Sequence, residues 1–596
     1  MCGIFATTTK NNKQLEKTSI EAMLLSLSHR GPDDSGVLKF QKCILGQTRL
    51  SIIDLSSGHQ PMKDNKKNIA ITFNGEIYNY RELKKDLIEK GHIFSTNSDT
   101  EVILKSYIEY GAECPKYLDG MFAFVIWDEE KQSLFMARDR FGKKPLYYAY
   151  DIDGNLLIAS EIKAIFASKK IRGEIDSVAL DNYLALMYVP PTKTIYKNVF
   201  TLGPAEYAIH KDEVFTKNKY WQLEYKPINI SYDDAKKEVK RLFLEAVKKR
   251  MIADVEIGSF LSGGVDSTLV TAYAQKFSDK PIKTFCLGYG DYRNELPFAE
   301  EASKKIGADH YTLQADENSL DALRESIEYF DEPHADSSDF PQSLLSKFTA
   351  NKVKVALSGD GADELFMGYG WYQKHLNLSF RKHTIEKLFL NPFQGYIRNI
   401  SIFNESERKK LWGKNNKFVE KVAPKEIFKN KLDPISKINL FDITTYLPGQ
   451  LLTKIDRMSM MHGLEVRSPF LDYQLAEFVY NLPTEFKMNK GENKIILKDI
   501  LSEIMPKEFV YRRKQGFGAP IKEWLNTPNI KNLVKQELGD KAHIYEFLNK
   551  NAVEKIISNF YGNEDSLPKT DKSTYYKIWI LLCLELWMKS HKKYYL

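Results

Sequence analysis

Cys2 stands beside the initiator methionine, and a residue as small as cysteine permits Met1 to be removed. The exposed thiol would then carry its own base, because an α-amino group with a pKa of roughly 8 can take the thiol proton near neutrality. A second chemical signal lies far downstream. S-G-G-V-D-S, Ser262 to Ser267, follows an apolar strand ending at Leu261 and precedes a helix. Small residues at a strand-to-helix turn let backbone N–H groups approach a phosphate, and the positive end of the helix favours the anion. S-G-D-G-A-D-E, Ser358 to Glu364, repeats the arrangement after the apolar run V-K-V-A-L and ends in acids. Two such loops at the carboxyl ends of parallel strands converge on one crevice, where α/β sheets bind ligands. Neither loop is the G-x-x-x-x-G-K-[ST] phosphate loop.

Taken alone, Cys2 reads more readily as a small buried residue than as a nucleophile. Its company changes that reading. Together with M-C-G-I-F, the segments H-R-G-P-D (His29 to Asp33), R-L-S-I-I-D (Arg49 to Asp54), N-G-E-I-Y-N (Asn74 to Asn79) and S-D-T-E (Ser98 to Glu101) resemble the glutaminase domain of class II glutamine amidotransferases. The resemblance implies that Cys2 attacks the glutamine amide and that the side-chain amide of Asn74 and the backbone N–H of Gly75 stabilise the oxyanion. It also implies that Arg49 and Asp99 hold the glutamine carboxylate and ammonium. Leu50, Ile52, Asn74, Gly75 and Glu76 are expected to complete the glutamine site.

The segment Ser262 to Ser267 resembles the PP-loop of ATP pyrophosphatases, which split ATP to AMP and pyrophosphate. The expected nucleotide contacts are Leu261, Ser262, Gly263, Gly264, Val265, Asp266, Ser267, Leu287, Ser358, Gly359 and Asp360, although Leu261 and Leu287 are apolar strand residues that could equally be core. The same resemblance assigns Mg²⁺ on the pyrophosphate oxygens to Asp266 and Asp363, hard ligands for a hard cation. Lys494, in G-E-N-K-I-I-L-K, matches a catalytic lysine that stabilises charge on the α-phosphate and pyrophosphate. Asp360 stands where many asparagine synthetases carry glutamate. Downstream, Leu447 to Asp472 and Arg512 to Pro520 resemble the bacterial glutamine-hydrolysing asparagine synthetase pattern, so the likeness spans nearly the whole chain.

That resemblance implies the conversion of L-aspartate, L-glutamine and ATP to L-asparagine, L-glutamate, AMP and pyrophosphate through a β-aspartyl-adenylate. Ammonia is mostly protonated in neutral water, so passage through the protein interior is expected. The alternative keeps the mechanism and changes the acceptor to a sugar acid or peptide carboxylate. A β-lactam-forming relative has no use for Cys2, and an RNA-adenylating PP-loop enzyme needs a basic stripe or a cysteine pair.

The elements that must position these residues are legible as patterns. Up to about residue 210 the chain is strand-rich: I-A-I-T-F before Asn74, F-A-F-V-I-W at Phe122 to Trp127, and L-L-I-A-S after Asp153-Gly154. Helical stretches near Tyr80 to Lys90 and Glu101 to Tyr110 interrupt it. The expected first domain, residues 2–210, is an α+β N-terminal nucleophile (Ntn) fold, an αββα sandwich. Ser231 and Asp234 suggest a capping box opening a helix with apolar Ala235, Val239, Leu242, Phe243 and Ala246. V-E-I-G-S-F-L, a helix from Thr268, I-K-T-F-C-L and V-K-V-A-L then alternate, the signature of a parallel sheet covered on both faces. Residues 211–596 are therefore expected to form an α/β PP-loop ATP pyrophosphatase domain with added helices; Trp371 to Tyr446 reads only as helical and basic.

Among 596 residues, Lys+Arg exceeds Asp+Glu by 86 to 79 in scattered short pairs, which reads as solvated surface and gives nucleic acid no stripe to bind. No signal-peptide core follows M-C-G-I-F-A, and Ile578 to Met588 is too short and too acidic at Glu585 to span a membrane, so it reads as a packed helix. Met458, Met460 and Met461 read as core packing. Five widely spaced cysteines suggest neither zinc nor disulfides and fit a cytoplasmic protein. Its partners are then small molecules (glutamine, aspartate and ATP), and an assembly would most commonly be a homodimer.

Overall fold

The computed structural model describes residues 1–10, 14–288, 294–315, 320–380, 392–419, 422, 427, 432–512, 518–562 and 572–595. Arg513 to Phe517 of the segment Arg512 to Pro520, and parts of the stretch from Trp371 to Tyr446, lie outside them. What is described of that stretch is largely helical, at Gly370–Phe380, Pro392–Ile400, Glu405–Trp412 and Pro434–Phe441.

The first twelve strands are β1 (Gly3–Thr8), β2 (Asp34–Lys39), β3 (Cys43–Arg49), β4 (Met62–Asp64), β5 (Ile69–Ile77), β6 (Gly120–Asp128), β7 (Ser133–Arg138), β8 (Tyr147–Tyr150), β9 (Leu156–Ala159), β10 (Val199–Thr201), β11 (Glu206–Lys211) and β12 (Val214–Lys219). They form two six-stranded sheets, ordered β10-β8-β9-β1-β3-β2 and β12-β11-β7-β6-β5-β4, with antiparallel pairing throughout. The two-residue period of a strand builds the layers. On β5, Ile69, Ile71 and Phe73 pack with Leu83, Leu87, Val102 and Tyr107 of the helices Tyr80–Glu89 and Asp99–Tyr110, while Ala70 faces the other sheet. On β1, Phe5 packs outward against Ile20, Met23 and Ile165 of the helices Lys17–Ser26 and Ile162–Ala167, while Ile4 and Ala6 face inward. The result is the expected αββα sandwich. The division expected at residue 210 falls inside the β11–β12 hairpin, whose second strand continues the same sheet to Lys219.

Helix Tyr232–Arg250 follows, with Ser231 Oγ accepting from the Asp234 N–H at 3.2 Å and donating to the Asp234 carboxylate at 2.7 Å. Then come β13 (Ile257–Phe260), β14 (Lys283–Gly288), β15 (Asp309–Gln314), β16 (Val355–Leu357) and β17 (Glu465–Arg467), in the order β15-β14-β13-β16-β17. All four pairings are parallel. One face buries Ile257, Cys286 and Val355 against Val239, Phe243, Leu269 and Tyr273; the other buries Phe260, Phe285, Leu287 and Ala356 against Leu345 and Ile455. The chain winds outward from β13 to β15 and restarts beside β13 at β16, which makes the gap beyond β13 and β16 the switch point where such sheets bind ligands. Ile578 to Met588 lies within helix Lys572–Tyr595 and is buried. Among the described residues no helix is long and apolar enough to cross a membrane.

Candidate active sites

Cys2 leads into β1, and the strand period turns it toward the space between the sheets with Ile4 and Ala6. Asn74, an even-numbered neighbour of Ala70 on β5, faces the same space, and its Oδ1 accepts from the Cys2 N–H at 3.0 Å. With Met1 in place that nitrogen is an amide. The Nδ2 of Asn74 is buried with no hydrogen-bond partner among the described residues, a donor that suits an oxyanion. Gly75 has φ +151°, and a Cβ there would lie 2.0 Å from the Met121 carbonyl, so no other residue brings its N–H to this place. Burial pushes the Cys2 thiol above its ordinary pKa, against the pull of Gln47 and the Leu50 N–H, so the sulfur depends on a base to become a thiolate.

The remaining expected glutamine contacts lie at the end of β3 and in the loop after it, on β5 and at the start of helix Asp99–Tyr110. Arg49, at the end of β3, is buried and donates to the carbonyls of Ile53 at 3.1 Å and Asp54 at 2.7 Å. Leu50 and Ile52 are buried in the loop that follows, and the Leu50 N–H donates to the Met1 carbonyl at 3.2 Å. Asp99 opens its helix, accepts from the Ile77 N–H at 3.0 Å, and is raised to about 6, chiefly by burial. Glu76, also raised by burial and then by Glu465, faces Arg467 at 3.5 Å. Met1 fills a small apolar pocket with Tyr78, Met121 and Met460.

Beyond β13, the two nucleotide-type loops meet. Gly263 has φ +71°, and a Cβ on it would come within 2.6 Å of the Phe298 backbone. Ser262 and Ser267 join hydroxyls at 3.1 Å across the turn, and helix Val265–Gln275 begins with no side chain capping its first amides. The first-turn N–H groups of a helix and its dipole suit a phosphate. Gly359, after β16, packs against Asp266, where a Cβ would sit 2.9 Å from the Asp266 side chain. Leu261, just past the end of β13, and Leu287, on β14, are both buried, the latter in the core on the far face. The two loops are tied by Lys494, whose buried Nζ lies 2.6 Å from Asp266 Oδ2 and 2.7 Å from Asp363 Oδ1. Burial opposes its charge, but the two carboxylates win and raise it above an ordinary lysine. Lys494 itself adopts φ +56° at the start of helix Ile495–Leu501, and Gly368 leaves room for its side chain. Asp266 and Asp363 are hard oxygen donors of the kind Mg²⁺ takes, and in this structure the point between them is filled by the Lys494 ammonium. Among the described residues no three His, Cys, Asp or Glu side chains gather into a metal site of their own.

Several residues escaped motif reading. Arg512 donates from Nη2 to the Gly263 carbonyl at 2.7 Å and lies over Phe298. Lys454 reaches Ser338 at 2.7 Å and Asp336 at 3.3 Å, and Lys143 reaches Ser468 at 2.9 Å. Lys454 lay inside the quoted segment Leu447 to Asp472, yet nothing in its spacing marked it as buried.

A cysteine-tipped Ntn sandwich joined to a parallel α/β domain with paired nucleotide loops defines a two-domain glutamine amidotransferase that uses ATP. Residues 1–221 match the glutamine amidotransferase domain and residues 238–589 match asparagine synthase. Asparagine synthetase [glutamine-hydrolyzing] 1 of Bacillus subtilis (strain 168) is 33% identical, over 98% of this chain and 96% of that one. Asparagine synthetase [glutamine-hydrolyzing] 3 of the same organism is 33% identical over 92% and 93%, and asparagine synthetase [glutamine-hydrolyzing] 3 of Arabidopsis thaliana 29% over 97% and 86%. The chain belongs to the glutamine-hydrolysing asparagine synthetase family.

Proposed function

We propose that the chain makes L-asparagine, L-glutamate, AMP and pyrophosphate from L-aspartate, L-glutamine and ATP. The observation that carries this reading is the bridge from Lys494 to Asp266 and Asp363, which joins both nucleotide loops at one cation.

In the first domain, residues 2–210 with the hairpin's second strand, loss of Met1 turns the Cys2 nitrogen into the base that takes the thiol proton. The thiolate adds to the glutamine amide, and the Asn74 Nδ2 and Gly75 N–H receive the oxyanion. Arg49 and Asp99 hold the carboxylate and ammonium of glutamine, with Leu50, Ile52 and Glu76 around them. Collapse of the tetrahedral adduct releases ammonia and leaves a thioester that water hydrolyses to glutamate.

In the second domain, Leu261, Ser262 to Ser267, Leu287 and Ser358 to Asp360 cradle ATP. Mg²⁺, held by Asp266 and Asp363, would neutralise pyrophosphate charge. The aspartate β-carboxylate attacks the α-phosphorus, pyrophosphate leaves, and Lys494 stabilises the charge that builds there. Ammonia, delivered through the interior, then displaces AMP from the acyl carbon. The described cysteines are all free thiols, which suits the cytoplasm we assign, and a homodimer is the assembly we expect.

Incubation of the purified protein with MgATP, glutamine and candidate acids tests the reading. Asparagine and AMP from aspartate are the expected products; ADP, or no asparagine, would overturn it.

A further inference from the structure

The glutaminase domain carries a buried lysine into the synthetase crevice. Between β7 and β8 the run D-R-F-G-K-K folds around the Asp139 carboxylate, which accepts from the N–H groups of Phe141 at 3.1 Å, Lys143 at 2.9 Å and Lys144 at 2.9 Å. The same carboxylate accepts from the Phe122 N–H at 3.2 Å and so fixes the loop to β6. A loop tied this way presents two successive lysines to the other domain. Lys144 Nζ meets Asp456 Oδ1 at 3.3 Å. Lys143 Nζ donates to Ser468 Oγ at 2.9 Å, and Ser468 Oγ lies 3.1 Å from the hydroxyl of Ser358, the first residue of the second nucleotide loop.

Lys143 is only 6% exposed, and lysines are almost never buried without a charge partner. Here the hydrogen-bond acceptor is a neutral hydroxyl. The carboxylates acting on the ammonium are Asp139, on its own loop, and Asp360, in the nucleotide loop; the cations opposing it are Lys144 beside it and Arg250 at the end of helix Tyr232–Arg250. Asp360 is also felt by Lys454 from helix Leu452–Met460, so this acid sits among cations supplied by both domains.

We propose that Lys143 is a positioning residue of the synthetase centre lent by the glutaminase domain: as an ammonium it orients the Ser468 and Ser358 hydroxyls and faces Asp360, so that adenylation needs the two domains docked. The inference rests on the reading that aspartate is adenylated in this crevice. Burial, then Lys144 and Arg250, hold Lys143 well below the ordinary lysine pKa, against the pull of Asp360 and Asp139. Lys143 therefore discharges at a lower pH than a surface lysine, and adenylation falls on the alkaline side as it does. Arginine keeps its charge throughout and moves that fall to higher pH.

The test uses full-length wild type, Lys143→Met and Lys143→Arg. AMP and pyrophosphate are measured from aspartate, MgATP and ammonium chloride, from neutral to alkaline pH, with total ammonium adjusted to hold free ammonia constant. Glutamate release from glutamine by the same preparations reports folding. Lys143→Met is expected to lose at least about tenfold of the ammonium-dependent rate, a modest loss for misplaced groups. Lys143→Arg is expected to retain most of that rate and to extend it to higher pH. A methionine variant that matches wild type in rate and alkaline limb overturns the inference. If the methionine variant fails to fold, the arginine variant decides: a displaced limb supports the inference and an unmoved limb overturns it. A wild type that forms no AMP from aspartate sinks the functional reading and Lys143's role with it, whereas a working wild type beside an equally active methionine variant sinks the inference alone.

Discussion

Arg30 and Asp456, 426 residues apart in the chain, form a bidentate ion pair across the seam between the two domains, Nη1 to Oδ2 at 2.8 Å and Nη2 to Oδ1 at 3.1 Å. The same guanidinium donates from Nε to the Cys2 carbonyl at 3.1 Å and from Nη1 to Glu161 at 2.8 Å. Both members of the pair are buried. One planar cation thus touches the nucleophile of one domain and the helix Leu452–Met460 of the other.

Removing one partner of such a pair leaves a buried charge unmatched. Asp456→Ala is expected to lower stability by about 3 kcal/mol, the low end for a broken buried pair, because Glu161 keeps one contact with Arg30. Chemical denaturation of wild type and variant checks this. Burial alone would raise the Asp456 carboxyl, but Arg30 and Lys144 outweigh it and hold it at about 2. A depressed carboxylate contributes stability above its unfolded pKa of about 4 and loses it as pH falls toward the folded value. The gap between wild type and variant should therefore narrow on acidification below pH ~4; a gap that stays constant there would count against the pairing.

Cys2→Ala should abolish glutamate release from glutamine and leave asparagine formation from ammonium salts, since the nucleophile and the nucleotide loops sit in separate domains. Asn74→Ala, which removes one oxyanion donor, should reduce glutamine hydrolysis by about 100- to 1000-fold with the same ammonium-dependent rate. Retention of glutaminase activity by either variant would remove the assigned residue from the chemistry.

The acid limb of glutamine use should belong to Asp99. Burial raises its carboxyl to about 6, so it gains a proton and loses its hold on the glutamine ammonium as pH falls through that value. KM for glutamine is expected to rise below about pH 6, up to about tenfold per unit. Asp99→Asn should bind glutamine weakly with a KM that no longer changes in this window. An Asp99→Asn variant with the wild-type acid limb would assign that limb elsewhere.

Lys494→Met should lower ATP-dependent synthesis from either nitrogen source by at least about 100-fold while sparing glutamine hydrolysis. It leaves Asp266 and Asp363 facing each other without their shared cation, so Mg²⁺ meets no competing ammonium there and the variant should reach its residual rate at lower Mg²⁺. Measuring pyrophosphate release against Mg²⁺ concentration checks both parts; an unaltered rate would exclude Lys494 from the charge-stabilising role.

What the sequence determined by itself was whatever lies within one contiguous segment. The strand, Gly-Gly turn and helix around Ser262 to Ser267, the β5 strand that carries Asn74 and Gly75, and the alternation that makes β13 to β16 parallel are consequences of local pattern, and each appears where its residues required. Pattern could not find the buried charges. Arg30, Arg457 and Arg467 are wholly or almost wholly buried, yet nothing in the segments that carry them marks them as buried. Arg30 and Arg457 find partners far along the chain, Asp456 and Glu161, while Arg467 pairs with Glu465 two residues away at 2.6 Å and also faces the distant Glu76 at 3.5 Å. An isolated charge is stable only in water, and it becomes stable in the interior only when folding brings an opposite charge to hydrogen-bond distance. That condition is set by the docking of one domain on the other, and for the same reason Lys143 and Lys454 became visible as parts of the crevice only in the tertiary structure.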